Sequence, residues 1–120
     1  MDLFEHAARA STAERLRDRG MARAADAQDR AVIGWSELAY LAILNVARMQ
    51  ETVHTDDVRA IFPHEPDHPN AFGAVWLRAI RDGVIERTGT VRASTDPRKH
   101  SHQYPIYRSL TFVGRRQSAA

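Results

Sequence analysis

Apolar positions in the middle of the chain recur at the spacing of α-helices. Trp35 to Gln50 is apolar around most of its helical circumference, which predicts a helix at the centre of the core. Thr55 is a natural N-cap for a shorter helix that Pro63 ends. A third helix is predicted between Asn70, a good N-cap residue, and Gly83, a good residue after a helix end. One face of it is apolar at 3.6-residue spacing and should be core: Phe72, Val75, Trp76, Ala79 and Ile80.

The pattern changes after Gly83 to one that is typical of a β-hairpin. Val84–Val91 is predicted as a strand, Arg92–Gln103 as an exposed loop and Tyr104–Phe112 as a returning strand. Three helices followed by such a hairpin are the order of a winged helix-turn-helix. The predicted fold class is therefore mainly α with a small β-hairpin, a winged helix-turn-helix with an extra N-terminal helix.

That extra helix is mostly polar. Residues 1–10 have no cap and little pattern, whereas Ser11 and Glu14 fit a capping box that would start a helix ending near Ala31. Its apolar stripe is thin, which suits a helix laid across a core or against a second subunit. We expect three parts: an N-terminal tail and helical extension (residues 1–34), a winged helix domain (residues 35–112) and a disordered tail (residues 113–120).

Charge is distributed unevenly along the chain. Residues 1–70 carry 8 Arg and 12 acidic residues, a net charge of −4, whereas residues 71–120 carry 9 basic and 3 acidic residues, a net charge of +6. This asymmetry favours an anionic partner for the second half. The basic residues are 16 Arg and one Lys, a bias typical of a GC-rich genome, so the position of each arginine matters more than their number.

Composition also excludes several classes of protein. The chain has no cysteine, which excludes disulfides and thiolate zinc sites and fits a reducing cytosol. No apolar run approaches the roughly 20 residues that a bilayer requires, and the first residues lack the pattern of a signal peptide. We therefore expect a cytoplasmic protein that has no membrane partner.

The face of the third helix opposite its apolar stripe is the first candidate DNA contact. Small residues there would let a DNA backbone approach closely, and the arginines could reach phosphates or guanine edges. The face contains Asn70, Gly73, Ala74, Leu77, Arg78 and Arg81. The alternative is an ordinary solvated face, with Gly73 packed against the preceding helix.

The hairpin loop is the second candidate. Its basic residues could contact phosphates, and Asp96 is the one acid opposing them. An exposed loop rich in Arg and Lys is also a common way to keep a hairpin soluble. Together, the helix face and the loop predict these DNA-binding residues: Asn70, Gly73, Ala74, Arg78, Arg81, Arg92, Arg98, Lys99 and His100.

Catalytic and metal-binding patterns are weak. A metal-dependent nuclease would use His64, Asp67 and His68, but the two histidines bracket prolines in a loop and do not share a helical face. No glycine-rich phosphate loop, nucleophile elbow or HExxH motif is present. We expect no enzyme activity, no metal site and no cofactor.

Thr55 to Tyr107 carries motifs that resemble a group of small uncharacterised phage and prophage proteins. These have a short T-x-D-D-V helix, a Pro-containing linker, a helix with G-A-V and an arginine, and a wing with Ser/Thr, Pro and His. The matching residues are Thr55, Asp56, Asp57, Val58, Gly73, Ala74, Val75, Arg78, Gly83, Ile85, Ser94, Pro97, His100 and Pro105. The resemblance implies a winged-helix protein encoded among phage replication, recombination or regulatory genes.

The sequence thus predicts a non-catalytic protein that binds double-stranded DNA, encoded by a phage or prophage and acting in replication, recombination or transcription control. A winged-helix module for protein–protein interaction is the first alternative, and a small metal-dependent nuclease is the second. A homodimer, or a phage or host protein bound through the N-terminal helix, is a further expectation for the partners.

Overall fold

The computed structural model describes residues 3–31, 34–66 and 70–113, with side chains from residue 12 onward. This part of the chain is mainly α, with four helices and a small three-stranded antiparallel sheet. The elements are α1 (Leu3–Ala31), α2 (Trp35–Met49), β1 (Thr52–Val53), α3 (Thr55–Ile61), α4 (Ala71–Arg81), β2 (Ile85–Ala93) and β3 (Gln103–Ser109), with a 3₁₀ turn at Pro97–Lys99.

The core lies between α2, α3, α4 and one face of the sheet. Ala39, Ile43 and Ala47 of α2 are fully buried, as the apolar pattern of that helix predicts. The ring of Trp35, at the start of α2, packs against Phe72 of α4, with the ring centroids 5.1 Å apart and the planes nearly perpendicular. Such edge-to-face packing is the arrangement that aromatic rings favour.

The sheet has one strand more than the sequence predicts. β1 pairs with β3, so that the strand order is β1-β3-β2 and not a simple hairpin. Two residues are too short for an alternating pattern to be visible, which explains why the sequence did not reveal β1. Its Val53 lies opposite Tyr107 of β3, and Trp76 of α4 stacks on Tyr107 with the ring centroids 4.8 Å apart.

Of two predicted helix starts, one is wrong by a residue and the other is confirmed in position. His54, not Thr55, is the N-cap of α3: its Nδ1 accepts a hydrogen bond from the Asp56 N–H, while Asp57 accepts from the His54 N–H. Asn70 occupies the N-cap position of α4, but its side chain makes no capping hydrogen bond. The predicted end of α4 is confirmed, because Gly83 has a φ of +74°, a conformation that favours glycine.

α1 is longer than the capping box predicts. It begins at Leu3 and continues through Ser11, so Ser11 is an interior residue and not a helix start. Its second half packs along α4, where Ala25 and Gln28 are buried. Near its end, Asp29 accepts a hydrogen bond of 2.8 Å from the Ser36 N–H in the first turn of α2. Asp29 thereby satisfies a helix N-terminus that Gly34, with no side chain, cannot cap.

Gly73 allows α1 and α4 to approach closely. A Cβ at this position would lie 2.7 Å from the sulfur of Met21 and 3.1 Å from its Cε. Real Cβ atoms essentially never come as close as the first of these distances. The geometry therefore favours the alternative interpretation, in which Gly73 is a packing residue. The helix packed on it is α1, however, and not the preceding helix α3.

Several apolar residues that the sequence places in the core lie at the surface. Leu38 and Leu41 of α2 are 54% and 46% exposed, and Ile61 of α3 is 53% exposed. The apolar circumference of α2 is therefore only partly covered by the other elements. No described helix is long and apolar enough to cross a membrane. Of the tail predicted to be disordered, only Val113 is among the described residues.

We predict that Gly73→Leu lowers the free energy of unfolding by about 1–3 kcal/mol, the usual cost of overpacking a tight contact. Gly73→Ala is the control. Its smaller clash is opposed by the gain of about 1 kcal/mol that alanine brings to a helix interior. Urea unfolding followed by circular dichroism measures both variants. Met21→Ala should restore part of the loss, and a Gly73→Leu variant as stable as wild type would contradict the packing of α1 on α4.

Candidate nucleic-acid interface

The middle of α4 does not present an open face. Gly73 lies against Met21, and Ala74 lines a cleft together with Ala22 and Ala25 of α1. Both small residues are only partly exposed. The expectation that they lie on a surface open to a DNA backbone is thus corrected, because α1 occupies the space in front of them.

Arg78 is held by neighbouring side chains. Its guanidinium lies over the ring of Tyr40, 3.8 Å from the centroid, and pairs with Glu37 at 2.9 Å. Asp82 approaches the same guanidinium at 3.8 Å and accepts a hydrogen bond of 2.5 Å from the Tyr40 hydroxyl. That hydrogen bond, together with burial, raises the pKa of Tyr40, while the pairing with Glu37 raises the pKa of Arg78. Arg78 therefore connects α4 to α2 and is only half-exposed.

Arg81, one turn further along α4, is exposed and has no partner within the described residues. It lies beyond the cleft that α1 forms with Ala74 and Arg78. Of the two arginines predicted to contact DNA from this helix, Arg81 is therefore the one that is free to do so.

The hairpin is anchored to α3 by one carboxylate. Asp56 accepts hydrogen bonds from the Ser94 hydroxyl at 2.6 Å and from the Thr95 N–H at 2.9 Å. Burial alone would raise the pKa of Asp56, but these hydrogen bonds outweigh it and the pKa is lowered. His54 adds a second link, because its Nδ1 accepts from Asp56 and its Nε2 is 3.0 Å from the Arg92 carbonyl oxygen. Because Nδ1 accepts a hydrogen bond, the ring N–H is on Nε2, and it donates a hydrogen bond to that carbonyl oxygen.

The basic residues at the tip of the hairpin differ in how far acids neutralise them. Arg98 is 72% exposed and forms an ion pair with Asp96 at 2.9 Å. Lys99 is 20% exposed and pairs with Glu65 of the α3–α4 linker at 3.2 Å. Glu65 also pairs with Arg59 of α3, so it ties the loop to the helix on the other side of the linker.

Arg92 and His100 are the free members of the predicted loop set. Both are exposed, and neither has a hydrogen bond or ion pair from its side chain to any described residue. His100 has a φ of +49° in the turn that follows Pro97–Lys99. Arg87, on β2 directly opposite Tyr107, is a further exposed arginine that the sequence analysis did not select.

Two predicted residues from different elements meet at one cleft. Asn70 at the start of α4 and Lys99 of the hairpin both line a cavity of about 420 Å³ between the linker and the wing. Arg59, His102 and Tyr104 lie along the same cavity. Its two cations are balanced in part by Glu65, which contacts both. Gly73 borders this cleft on one side and α1 on the other.

The residues that position the hairpin were missed as a group. Asp56 follows Thr55 in the first turn of a helix, where the helix dipole favours negative charge, so its place in the sequence gives no reason to expect a distant partner. Its partners, Ser94 and Thr95, are 38 and 39 residues away, and no local pattern indicates such a pairing. The structural role of Ser94 becomes visible only in the fold, where its side chain is buried, at 7% exposure.

The proposed nuclease triad cannot be assembled from what is described. Asp67 and His68 lie outside the described residues, and His64 is exposed beside Phe62. In the part of the chain that the structure describes, no group of three histidines, aspartates or glutamates is arranged to hold a metal ion. His102 packs on Tyr104, with the ring centroids 4.8 Å apart.

We predict that Asp56→Asn releases the hairpin and lowers the free energy of unfolding at pH 7 by about 1–3 kcal/mol, because charge-assisted hydrogen bonds contribute that much. Asp96→Asn, which removes the same charge from the loop itself, is the control and should have a smaller effect. Since the pKa of Asp56 is lower in the folded protein, its contribution is complete above about pH 4 and is lost as the pH falls further. Urea unfolding between pH 7 and pH 3 measures this. A difference between variant and wild type that does not become smaller between pH 7 and pH 3 would contradict the assignment.

We also predict that replacing each of the two arginines of α4 changes the free energy of unfolding by a different amount. Arg78→Ala should lower the free energy of unfolding by about 1 kcal/mol, because it removes an ion pair and a cation–π contact. Arg81→Ala should change it by no more than about 0.5 kcal/mol, as is usual at a free surface position. Thermal unfolding of the two single variants tests this, and equal melting temperatures would count against the Arg78–Tyr40 contact.

Comparison of the chain with models of protein families, with curated protein sequences and with solved structures found no match. The resemblance to small phage and prophage proteins therefore stays a prediction.

Proposed function

We propose that this chain is a non-catalytic winged helix-turn-helix module that binds double-stranded DNA. The order helix, strand, helix, helix, strand, loop, strand, with the sheet order β1-β3-β2, is what such a module would have. In that fold the hairpin lies on the DNA backbone beside the last helix. The extra element is α1, which lies on α4.

The charge of the hairpin region carries the proposal. Residues 84–113 contain five basic and two acidic residues, a net charge of +3 on a projecting element. Arg87 and Arg92 are exposed without an acid partner among the described residues, and Arg98 keeps most of its surface in solvent. Arginines on an exposed hairpin contact phosphates more readily than base edges.

The predicted DNA-binding residues then fall into two groups. Arg81, Arg92, Arg98 and His100 are placed to contact DNA directly. The others have structural partners or lie under α1 or beside the wing cleft: Asn70, Gly73, Ala74, Arg78 and Lys99. Because α1 stands in front of the middle of α4, we propose that binding is mostly sequence-independent. The module would act in replication, recombination or transcription control of a phage or prophage.

A protein-interaction module is the second candidate, and one observation favours it. Leu38 and Leu41 of α2 and Ile61 of α3 are each about half exposed. Leu38 also borders a cavity of about 440 Å³ that is lined by Trp35 and Phe62. Exposed apolar side chains of this kind are typical of protein contacts when they are contiguous. The absence of duplex binding would favour this candidate.

The test is the salt dependence of binding to one random 20-bp duplex between about 50 and 200 mM salt, followed by fluorescence anisotropy. Each phosphate contact adds about one unit to the slope of log affinity against log salt. Arg92→Ala with Arg98→Ala should therefore flatten the slope by about one to two units, because Arg92 has no acid partner among the described residues and Asp96 offsets part of the charge of Arg98. Lys99→Ala should leave it nearly unchanged, because Glu65 already neutralises that lysine.

Arg48→Ala, an exposed arginine at the end of α2, is the matched control and should bind as wild type does. Wild-type protein that shows no duplex binding above background at 50 mM salt would overturn the proposal. A normal slope for the Arg92/Arg98 variant would remove the hairpin from the interface.

A further inference from the structure

We propose that the outer side of α1 is a second DNA contact, in which Arg19, Arg23 and Arg30 bind phosphates of the duplex backbone. This inference rests on the proposed function and adds to it a surface that neither the winged-helix pattern nor the charge of the hairpin indicates. It follows from where α1 lies, from how its side chains divide between two faces, and from the absence of partners for the three arginines.

α1 replaces the surface that α4 would otherwise present. Met21 is packed on Gly73, and Ala22 and Ala25 line a cleft with Ala74. A duplex that approached this side of the molecule would therefore meet the outer face of α1 before it reached α4. Whatever binds there must be recognised by α1.

The inner and outer faces of this segment are opposite in character. At about 100° per residue, Met21, Ala25 and Gln28 lie on one side of the helix, and Ala25 and Gln28 are buried there. The three arginines fall within about 40° of one another and about 170° from that side. The thin apolar stripe of α1 therefore faces the rest of the fold, and the three arginines lie on the opposite side of the helix.

The three arginines are free. Each is exposed, and none has a hydrogen bond or an ion pair with any residue in the described part of the chain. Two acids lie nearby. Asp29 accepts from the Ser36 N–H, whereas Asp26, three residues after Arg23 and four before Arg30, is exposed on the same side of the helix and forms no ion pair with any described residue. Within the described part of the chain, no ion pair holds these three arginines, unlike Arg78 and Lys99, and they outnumber Asp26 on this side of the helix.

The spacing of the stripe fits a DNA strand. The helix rises about 6 Å from Arg19 to Arg23 and about 16 Å from Arg19 to Arg30. One strand carries a phosphate for every 3.4 Å or so of duplex axis, but it also winds around that axis, so the straight stripe reaches fewer than the five or so phosphates that this rise contains. Arginine is suited to this role because its planar guanidinium can donate two hydrogen bonds to one phosphate. Such contacts add affinity but carry no sequence information.

The experiment measures binding to the random duplex for wild type and for one triple variant that combines Arg19→Ala, Arg23→Ala and Arg30→Ala. Alanine preserves helix propensity, so α1 should stay folded, and circular dichroism checks this. We expect affinity to fall more than about tenfold at 50 mM salt, and the salt slope to flatten by about two to three units. The triple lysine variant, R19K/R23K/R30K, keeps the charge and should retain most of the slope. Arg17→Ala, on the flank of the same helix, is the matched control.

The outcomes separate this inference from the proposed function. If the triple alanine variant binds as wild type does while the Arg92/Arg98 variant is weakened, the α1 contact is refuted and hairpin binding stands. If the triple alanine variant binds more tightly than wild type, α1 does not contact the duplex but blocks α4 and dissociates from it when DNA binds. The α1 contact is then also refuted. If wild-type protein binds no duplex, both proposals fail.

Discussion

The close packing of α1 against Gly73 is the contact on which the surface of this protein depends. A Cβ at residue 73 would come within 2.7 Å of the Met21 sulfur, so any larger residue there requires the Met21 side chain to move. Once they touch, Ala25 and Gln28 are buried, and Gly73 and Ala74 in the middle of α4 are left only partly exposed. The helix that a winged helix-turn-helix would use to read DNA then has only its ends available. Any surface for a large ligand on that side belongs to α1.

A second constraint fixes the hairpin. Asp56 and His54 at the start of α3 hold Ser94, Thr95 and the carbonyl of Arg92, so the basic loop begins from a defined point. Glu65 holds Lys99 at the other side of the loop. Because the backbone at the base of the loop is fixed by these hydrogen bonds, Arg92 and Arg98 project from a rigid element. Preorganised side chains lose less entropy on binding than mobile ones do.

The positions of the helices and strands could be predicted from the sequence better than which side of each helix is exposed. The three helices after Trp35 and the two longer strands lie where periodicity and turn residues placed them, within a few residues. β1 was missed because a two-residue strand has no pattern of its own. Ser11 looked like a helix start because a capping box can be satisfied in sequence without being used in the fold.

The candidate site could be predicted only in part, because the exposure of its residues depends on tertiary contacts between elements that are distant in the sequence. Whether a small residue such as Gly73 faces DNA or another helix depends on where α1 packs, and α1 is too polar for its own pattern to reveal this. Whether Arg78 or Lys99 is free depends on Glu37 and Glu65, which are 41 and 34 residues away. Arg98 was easier, since a loop between two strands is exposed whatever the rest of the fold does. Arg92, predicted to begin that loop, lies instead in β2 opposite Tyr104 and is exposed there.

The central claim is that duplex DNA meets the hairpin and the outer side of α1 while the middle of α4 stays covered. A titration of ¹⁵N-labelled protein with a short random duplex, followed by amide chemical shifts, tests it most directly. The account predicts that shifts concentrate at Arg92, at the 97–101 turn and along residues 19–30, with Gly73 and Ala74 little changed. Large shifts at Gly73 and Ala74, together with loss of the contact between Gly73 and Met21, would contradict it, because α4 itself would then be the surface that enters the duplex.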